Sequence, residues 1–278
     1  PVPPRLHRDG RGLPRVNLSG RTVLLTGATG GLGQTIARRL HGAGAQLVLT
    51  GRRTDVLQPL ATETGARAVA VDLTDAAAVE RLAHEFADVD VLVANAGLPG
   101  SGHVLSFSVE QIDRALAVNL RAPMVLSRII GERMAARGSG HIVLMSSLSG
   151  KAATPRSSIY SATKFGLRGF AQALRQDLRP HGVGVSAVFP GFVRDAGMFA
   201  DSGAKLPPGV GTSSPDEVAD AVVRAIERNR GEIDVAPVPM RLGALVAGLA
   251  PGVAAAFTRV TGGERVGDQF GAGQASKR

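Results

Sequence analysis

From Arg21 onward, short apolar runs rich in β-branched residues alternate with longer stretches whose apolar positions recur every three or four residues. The runs are Val23 to Thr26, Gln46 to Thr50, Ala68 to Val71, Val91 to Ala94, His141 to Ser146 and Val183 to Phe189. Between them lie helical patterns over Leu32 to His41, Ala76 to Phe86, Val109 to Arg137 and Tyr160 to Arg179. Strands and helices alternating at this spacing make βαβ units, because two parallel strands can be joined only by a crossover. The pattern therefore predicts an α/β protein: a single-domain, Rossmann-type, doubly wound parallel sheet with helices on both faces. A further helix is expected from Ser214-Pro215-Asp216-Glu217, with a Ser cap, Pro in the first turn and acids behind it, to about Arg230, where Gly231 closes it.

The two ends read differently from the middle. Residues 1–16 carry Arg5, Arg8, Arg11 and Arg15 among prolines and glycines, the composition of a flexible basic tail. Residues 17–235 form the expected catalytic domain, and 236–278 an apolar C-terminal extension followed by a polar tail. Within that extension Leu242 to Phe257 is uncharged but broken by Pro251, and it falls short of the roughly 20 residues a membrane span needs. It is expected to form a helical pair covering the body, a subunit interface or the pocket. Peripheral membrane contact aided by Arg241 and Arg259 is the alternative.

Composition removes several chemistries. The 278 residues include no cysteine, which excludes thiol nucleophiles, thiolate metal sites and disulfides, and fits a cytoplasmic protein. The six histidines are scattered and no metal site is expected. A net charge of +9 would suit a polyanion, yet the arginines are dispersed and no aromatic-interleaved basic stripe accompanies them, so no nucleic-acid partner is expected.

The first strand runs into Thr26-Gly27-Ala28-Thr29-Gly30-Gly31-Leu32-Gly33 and then directly into a helix. Residues without side chains let the backbone approach a pyrophosphate, and the helix N-terminus offers unpaired N–H groups. The second strand ends Leu49-Thr50-Gly51-Arg52-Arg53. A carboxylate there would serve the ribose hydroxyls of NAD. Gly51 occupies its place, and Arg52 and Arg53 can pair with a 2′-phosphate, so NADP(H) is the expected cofactor. Asp72, next to Leu73, could accept from the adenine amine or cap the following helix, and Asn95-Ala96-Gly97 could let the chain pass close to the adenine ribose.

Tyr160 and Lys164 stand four apart at the start of a helical pattern and therefore share one face. A phenol ordinarily ionises near pH 10, so base behaviour near neutrality needs a positive charge beside it. Tyr160 is the only tyrosine.

With these landmarks in order, the chain resembles a short-chain dehydrogenase/reductase of the short single-domain branch. The match consists of the glycine loop, Asn95-Ala96-Gly97, Asn119, Ser147 thirteen residues before Tyr160, the Tyr-xxx-Lys, and Pro190-Gly191. It covers about Asn17 to Val235. The resemblance implies that Ser147 binds the substrate oxygen, Tyr160 exchanges its proton, Lys164 binds the nicotinamide ribose and Asn119 holds a water. It also implies that Tyr160, Lys164, Pro190, Gly191, Val193 and Asp195 contact the cofactor. Of the adjacent serines, Ser-x-x-Gly through Gly150 selects Ser147 over Ser146. Two departures stand out: Ala94 replaces a common Asn, and Asp195 replaces the Thr that usually meets the nicotinamide carboxamide. Asp195 could accept from that amide or cap the next helix. Leu148, the stretch from Ala153 to Ile159 and that from Phe192 to Pro208, with Met198 and Phe199, would line a mostly apolar pocket.

The resulting expectation is an NADP(H)-dependent oxidoreductase interconverting a hydrophobic ketone or aldehyde and its alcohol, as a homodimer or homotetramer. A non-catalytic NADP(H)-binding sensor and a membrane-associated lipid reductase are the alternatives.

Overall fold

A computed structural model describes residues 16–206, 210–260 and 263–277. The expected tail thus lies almost wholly outside the described residues, although Val16 already packs on the core, and Pro207 and Pro208 also lie outside them.

Seven strands run parallel in one sheet: β1 (Thr22–Leu25), β2 (Gln46–Gly51), β3 (Arg67–Ala70), β4 (Val91–Ala94), β5 (Gly140–Met145), β6 (Val183–Pro190) and β7 (Glu232–Val235), in the order β3-β2-β1-β4-β5-β6-β7. Apolar residues fill both faces, which is why the strands read as continuous apolar runs instead of alternating ones. Leu24, Leu92, Ile142, Leu144 and Phe189 face one core, with α3 (Ala76–Glu85), α5 (Ala122–Arg137) and α6 (Ser158–Leu178). Val23, Leu25, Val91, Val93 and Val143 face the other, with α1 (Gly31–Gly42), α2 (Thr54–Thr64) and α8 (Pro215–Glu227). The polypeptide reverses its direction of winding between β1 and β4, so the loops after these strands part and leave a crevice at the C-terminal edge of the sheet.

Local signals explain most element ends. The Ser214 hydroxyl accepts from Glu217 N–H at 3.1 Å and the Glu217 carboxylate accepts from Ser214 N–H at 2.6 Å, a reciprocal cap that starts α8 with Pro215 in its first turn. The single helix expected over Val109 to Arg137 is instead α4 (Val109–Leu116), a π-helical turn (Ala117–Arg121) and α5. Such a turn inserts one residue into the helix and rotates its neighbours. Here it carries Asn119 inward. α2 carries no apolar signal strong enough to announce it, and Pro59 sits inside it.

Beyond β7, the apolar segment divides at Pro251 into α9 (Val238–Leu249) and α10 (Pro251–Val260), because proline is accepted in a first turn but not inside a helix. No described helix is long and apolar enough to cross a membrane. Leu242, Leu245 and Leu249 point outward from α9. Where a polar tail is expected, the chain forms α11 (Gly263–Gln274), which returns to the crevice and packs on α7 (Met198–Ser202).

His141 shows what the core demands of a polar residue. Its ring is fully buried between strands, with Nε2 2.8 Å from the Ser186 hydroxyl. Burial, assisted by the Arg175 charge, pushes its pKa down to about 3. Unfolding returns the imidazole to its ordinary value near 6.5, so the unfolded chain binds the extra proton between these values. Stability is therefore complete above pH 6.5 and drains away as pH falls toward 3, by up to about 1.4 kcal/mol per pH unit. Thermal melts of His141→Gln should lose the part of the decline between pH 6.5 and 4.5, whatever its melting temperature at neutral pH. An unchanged slope would show that His141 is not the group responsible.

Candidate active site

All seven strands point the same way, so the loops after β1, β2, β4, β5 and β6 converge on one edge. Residues after β1, β2, β3, β4 and β6 line a cleft there of about 740 Å³. Its floor is the glycine loop, and two glycines are required there by space. Gly27 has φ of +69° and a side chain would come within 2.7 Å of the Ala96 backbone; one on Gly33 would collide with the Gly27 carbonyl. α1 therefore starts against bare backbone, and no side chain caps it, which leaves its first N–H groups facing the cleft. Asn95 locks the loop from the neighbouring strand. Its amide nitrogen donates to the carbonyls of Thr26 and Gly27 at 3.1 and 3.3 Å, while the Thr26 hydroxyl accepts from the N–H groups of Asn95 and Ala96, both at 3.1 Å.

The outer end of the cleft is cationic. Arg52 and Arg53 line it with Asp72, Leu73 and Arg114, and Arg53 donates to the Thr29 carbonyl. Gly51 is covered by Thr29, whose methyl would lie 2.5 Å from an added side chain, so the position has no room for the carboxylate of an NAD-type site. Asp72 accepts from the backbone and hydroxyl of Thr74, both at 2.9 Å, and these bonds, Thr74 N–H foremost, hold its pKa below the usual carboxylate range. It does not cap the next helix; Asp75 does. A bare glycine floor, free helix amides and guanidinium groups at one end fit a dinucleotide carrying an extra phosphate.

At the inner end, α6 brings Tyr160 and Lys164 together. The Lys164 ammonium is buried, donates to the Met145 carbonyl at 2.8 Å and lies 5.5 Å from the centre of the Tyr160 ring. Burial pulls its pKa down to about 8. Tyr160 is half-buried; desolvation pushes its phenol up to about 12, and a hydrogen bond with Ser147 draws it partly back. Ser147 begins a single 3-10 turn and accepts from Ser149 N–H at 3.1 Å. Ser146 instead donates to the Lys164 carbonyl from a buried position. The turn after Ser147 is anchored by Lys151, which pairs with Glu232 at 2.7 Å and Asp234 at 2.6 Å on β7.

Three expected site residues are placed differently from the rest. The Asn119 side chain is engaged by protein at both ends, its oxygen accepting from Leu98 N–H at 2.7 Å and its nitrogen donating to the Leu98 carbonyl at 2.9 Å. It pins the Leu98 turn beside Lys164. Val193 is buried under the cleft wall, bridged to Ser213. Asp195 points away from the cleft: its side chain is 73% exposed and pairs with Arg194 at 3.5 Å, on a backbone with φ of +66°. It does not cap α7 either, since Gly197 holds that position. Pro190 ends β6, and Gly191 packs against Leu148 and Met240 beneath the site.

The structure also brings in residues that sequence reasoning misses: Arg114, Gln274, Ser276 and Lys277 all line the cleft. The last three come from the chain's end. The available signal was a glycine face on α11, where Gly267 and Gly271 let the helix backbone meet Pro155 and Gly102 closely.

The family model of short chain dehydrogenases matches residues 21–207. This chain is a short-chain dehydrogenase/reductase. It is 38% identical over 227 residues to the "Ketoacyl reductase HetN" of Nostoc sp., covering 78% of this chain and 79% of that protein. Among solved structures it resembles a short-chain dehydrogenase from Sphingobium yanoikuyae in complex with NADPH (TM-score 0.72, 32% identity, 84% of this chain and 94% of that one). It also resembles the bulky-bulky ketone specific alcohol dehydrogenase from Comamonas testosteroni (TM-score 0.67, 30% identity, 79% and 86%). The enzyme is an oxidoreductase acting on CH–OH or C=O groups, and its cofactor is NADP(H).

Arg52 is exposed at the cleft rim and free to pair with a phosphate. Calorimetric titration of Arg52→Ala should show NADPH binding weakened about tenfold, the worth of one charge-assisted hydrogen bond, with NADH binding unchanged. Equal losses for both would mean that Arg52 supports the loop and does not read the phosphate.

Proposed function

We propose that the enzyme interconverts hydrophobic ketones or aldehydes and their alcohols, with Tyr160 as general acid and base. The observation that carries this reading is the grouping of the Tyr160 phenol with the Ser147 hydroxyl, which draws its pKa down, and the buried ammonium of Lys164, 5.5 Å from the ring centre. When bound, NADPH supplies the hydride from nicotinamide C4. Ser147 holds the carbonyl oxygen that gains charge as hydride arrives, and Tyr160 gives that oxygen its proton. A phenol kept neutral by burial suits this donation. In the alcohol-oxidising direction Tyr160 must first lose the proton, which it does more readily beside the positive charges of Lys164 and oxidised nicotinamide. Lys164, its Nζ lying 3.9 Å from where a side chain on Gly97 would begin, would hold the nicotinamide ribose when the cofactor is bound. Asn119 acts as a positioning residue through the Leu98 turn.

The substrate class follows from the aromatic cluster around α7, whose Met198 lines the cleft. Phe192 and Phe199 stand with ring centres 5.0 Å apart, and Phe270 stacks on Phe199 at 6.4 Å. The names of two relatives, a ketoacyl reductase and a bulky-bulky ketone specific alcohol dehydrogenase, agree with a ketone as the reacting group.

A panel of aryl and alkyl ketones followed by loss of NADPH absorbance should reveal turnover. Tyr160→Phe should then reduce kcat by at least about 100-fold while leaving the NADPH dissociation constant unchanged. Turnover surviving in the Phe variant would overturn the role given to Tyr160.

A further inference from the structure

α9 is apolar on two sides. Its inner side is fixed to the body of the enzyme: Ala244 is buried in the core that α3, α5 and α6 cover, and Met240 packs on the same core with its methyl 3.2 Å from where a side chain on Gly191 would begin. One turn beyond Ala244, a side chain on Gly248 would begin 3.5 Å from the Lys151 carbonyl. Positions 240, 244 and 248 thus form one stripe along the helix. Val238, Leu242, Leu245 and Leu249, spaced by four, three and four, form a second stripe, and they are 56, 58, 59 and 80% exposed. Val246 beside them and Val253 beyond the Pro251 break are exposed as well. The helix is therefore docked, and its outer side is aliphatic where a surface helix ordinarily carries polar residues.

Charge decides what can cover this face. From Ala236 to Gly263 the sequence holds Arg241 and Arg259 and no acid, within a chain of net charge +9. Arg241 is exposed, one turn from Leu245. A second copy packed on the same face by two-fold symmetry would bring cations toward cations, with no carboxylate on either segment to offset them. An acidic protein would meet the charge, but the aromatic residues that anchor protein partners are missing: the chain has no tryptophan, and its one tyrosine is Tyr160. An anionic bilayer surface matches both features, since acyl chains accept aliphatic side chains and phosphate headgroups accept a guanidinium. Neither α9 nor α10 can span a bilayer, and a pair broken at Pro251 suits a segment that lies along its surface.

We propose that the outer face of α9, continued into α10 at Val253, docks the enzyme on an anionic phospholipid surface. Leu242, Leu245 and Leu249 enter the acyl boundary and Arg241 meets the headgroups.

The full chain tests this with vesicles of phosphatidylcholine alone and of an equal mixture with phosphatidylglycerol. Wild-type protein should sediment with the mixed vesicles and much less with phosphatidylcholine. The double variant Leu245→Gln/Leu249→Gln should lose at least about tenfold in partitioning, and Arg241→Gln about fivefold, on the mixed vesicles only. NADPH binding at wild-type strength shows that these variants fold. An arm that removes no apolar residue uses Leu249→Trp, which places the chain's only indole on the face; its emission should shift to shorter wavelength when mixed vesicles are added. Sedimentation velocity should give the double variant the same oligomeric state as the wild type. Absence of wild-type binding, binding that survives in the double variant, or an indole indifferent to vesicles would each overturn the proposal. A change of oligomeric state in the double variant would assign the face to a second copy instead, and an indole that shifts equally with soluble polyglutamate would assign it to an acidic protein.

Discussion

A buried ammonium needs a partner, and Lys164 has one in the Met145 carbonyl, 2.8 Å away at the end of β5. That bond joins the start of α6 to the sheet from the side-chain end. The Lys164 carbonyl receives the Ser146 hydroxyl at 3.1 Å, and Gly150 is kept bare by the same carbonyl, so the main chain is held as well. Tyr160, one helical turn earlier, inherits its position from these contacts. Ser147 follows Ser146 directly, so the two ends of the proton path are set by one junction between a strand and a helix.

Electrostatics follow from the same burial. An ammonium drawn down to about 8 and a phenol raised to about 12 describe a pair in which the phenol is neutral at pH 7 while the lysine still carries its charge. Both shifts come from desolvation, which penalises whichever form is charged. On the proposed mechanism this makes the resting cleft an acid ready to donate, and base behaviour arises only when additional positive charge is brought beside the phenol. The cationic rim at Arg52, Arg53 and Arg114 lies at the opposite end of the cleft, so the phosphate and the reacting oxygen are served by separate parts of the sheet edge.

Much of this was legible in the sequence where a local signal determines a local structure. Continuous apolar runs gave the parallel sheet, the Ser214 cap gave the start of α8, and the glycines of the first loop marked where backbone must approach backbone. Asn119 was visible as a residue, but the π-helical turn that carries it inward was not, because an inserted residue leaves the apolar period almost intact. The family resemblance put Asp195 at the cofactor or at the cap of the next helix, yet it sits on a left-handed backbone with the side chain exposed. α11 was missed because four glycines weaken its helical signal, and its apolar face is largely replaced by close backbone contact. What brings it to the cleft is tertiary packing on α7, which no window of sequence contains.

The claim on which the account turns is that Tyr160 stays a neutral phenol in the free enzyme and becomes a base only beside the bound oxidised cofactor. Because it is the only tyrosine and the chain has no tryptophan, the near-ultraviolet phenolate band reports this residue alone. Spectrophotometric titration of the folded protein, with Tyr160→Phe as the blank, should show no ionisation as pH rises through 10, the ordinary phenol value. Adding NADP⁺ should move the onset of the band to lower pH. A phenolate that appears at or below pH 10 without cofactor, or an onset indifferent to NADP⁺, would contradict the account.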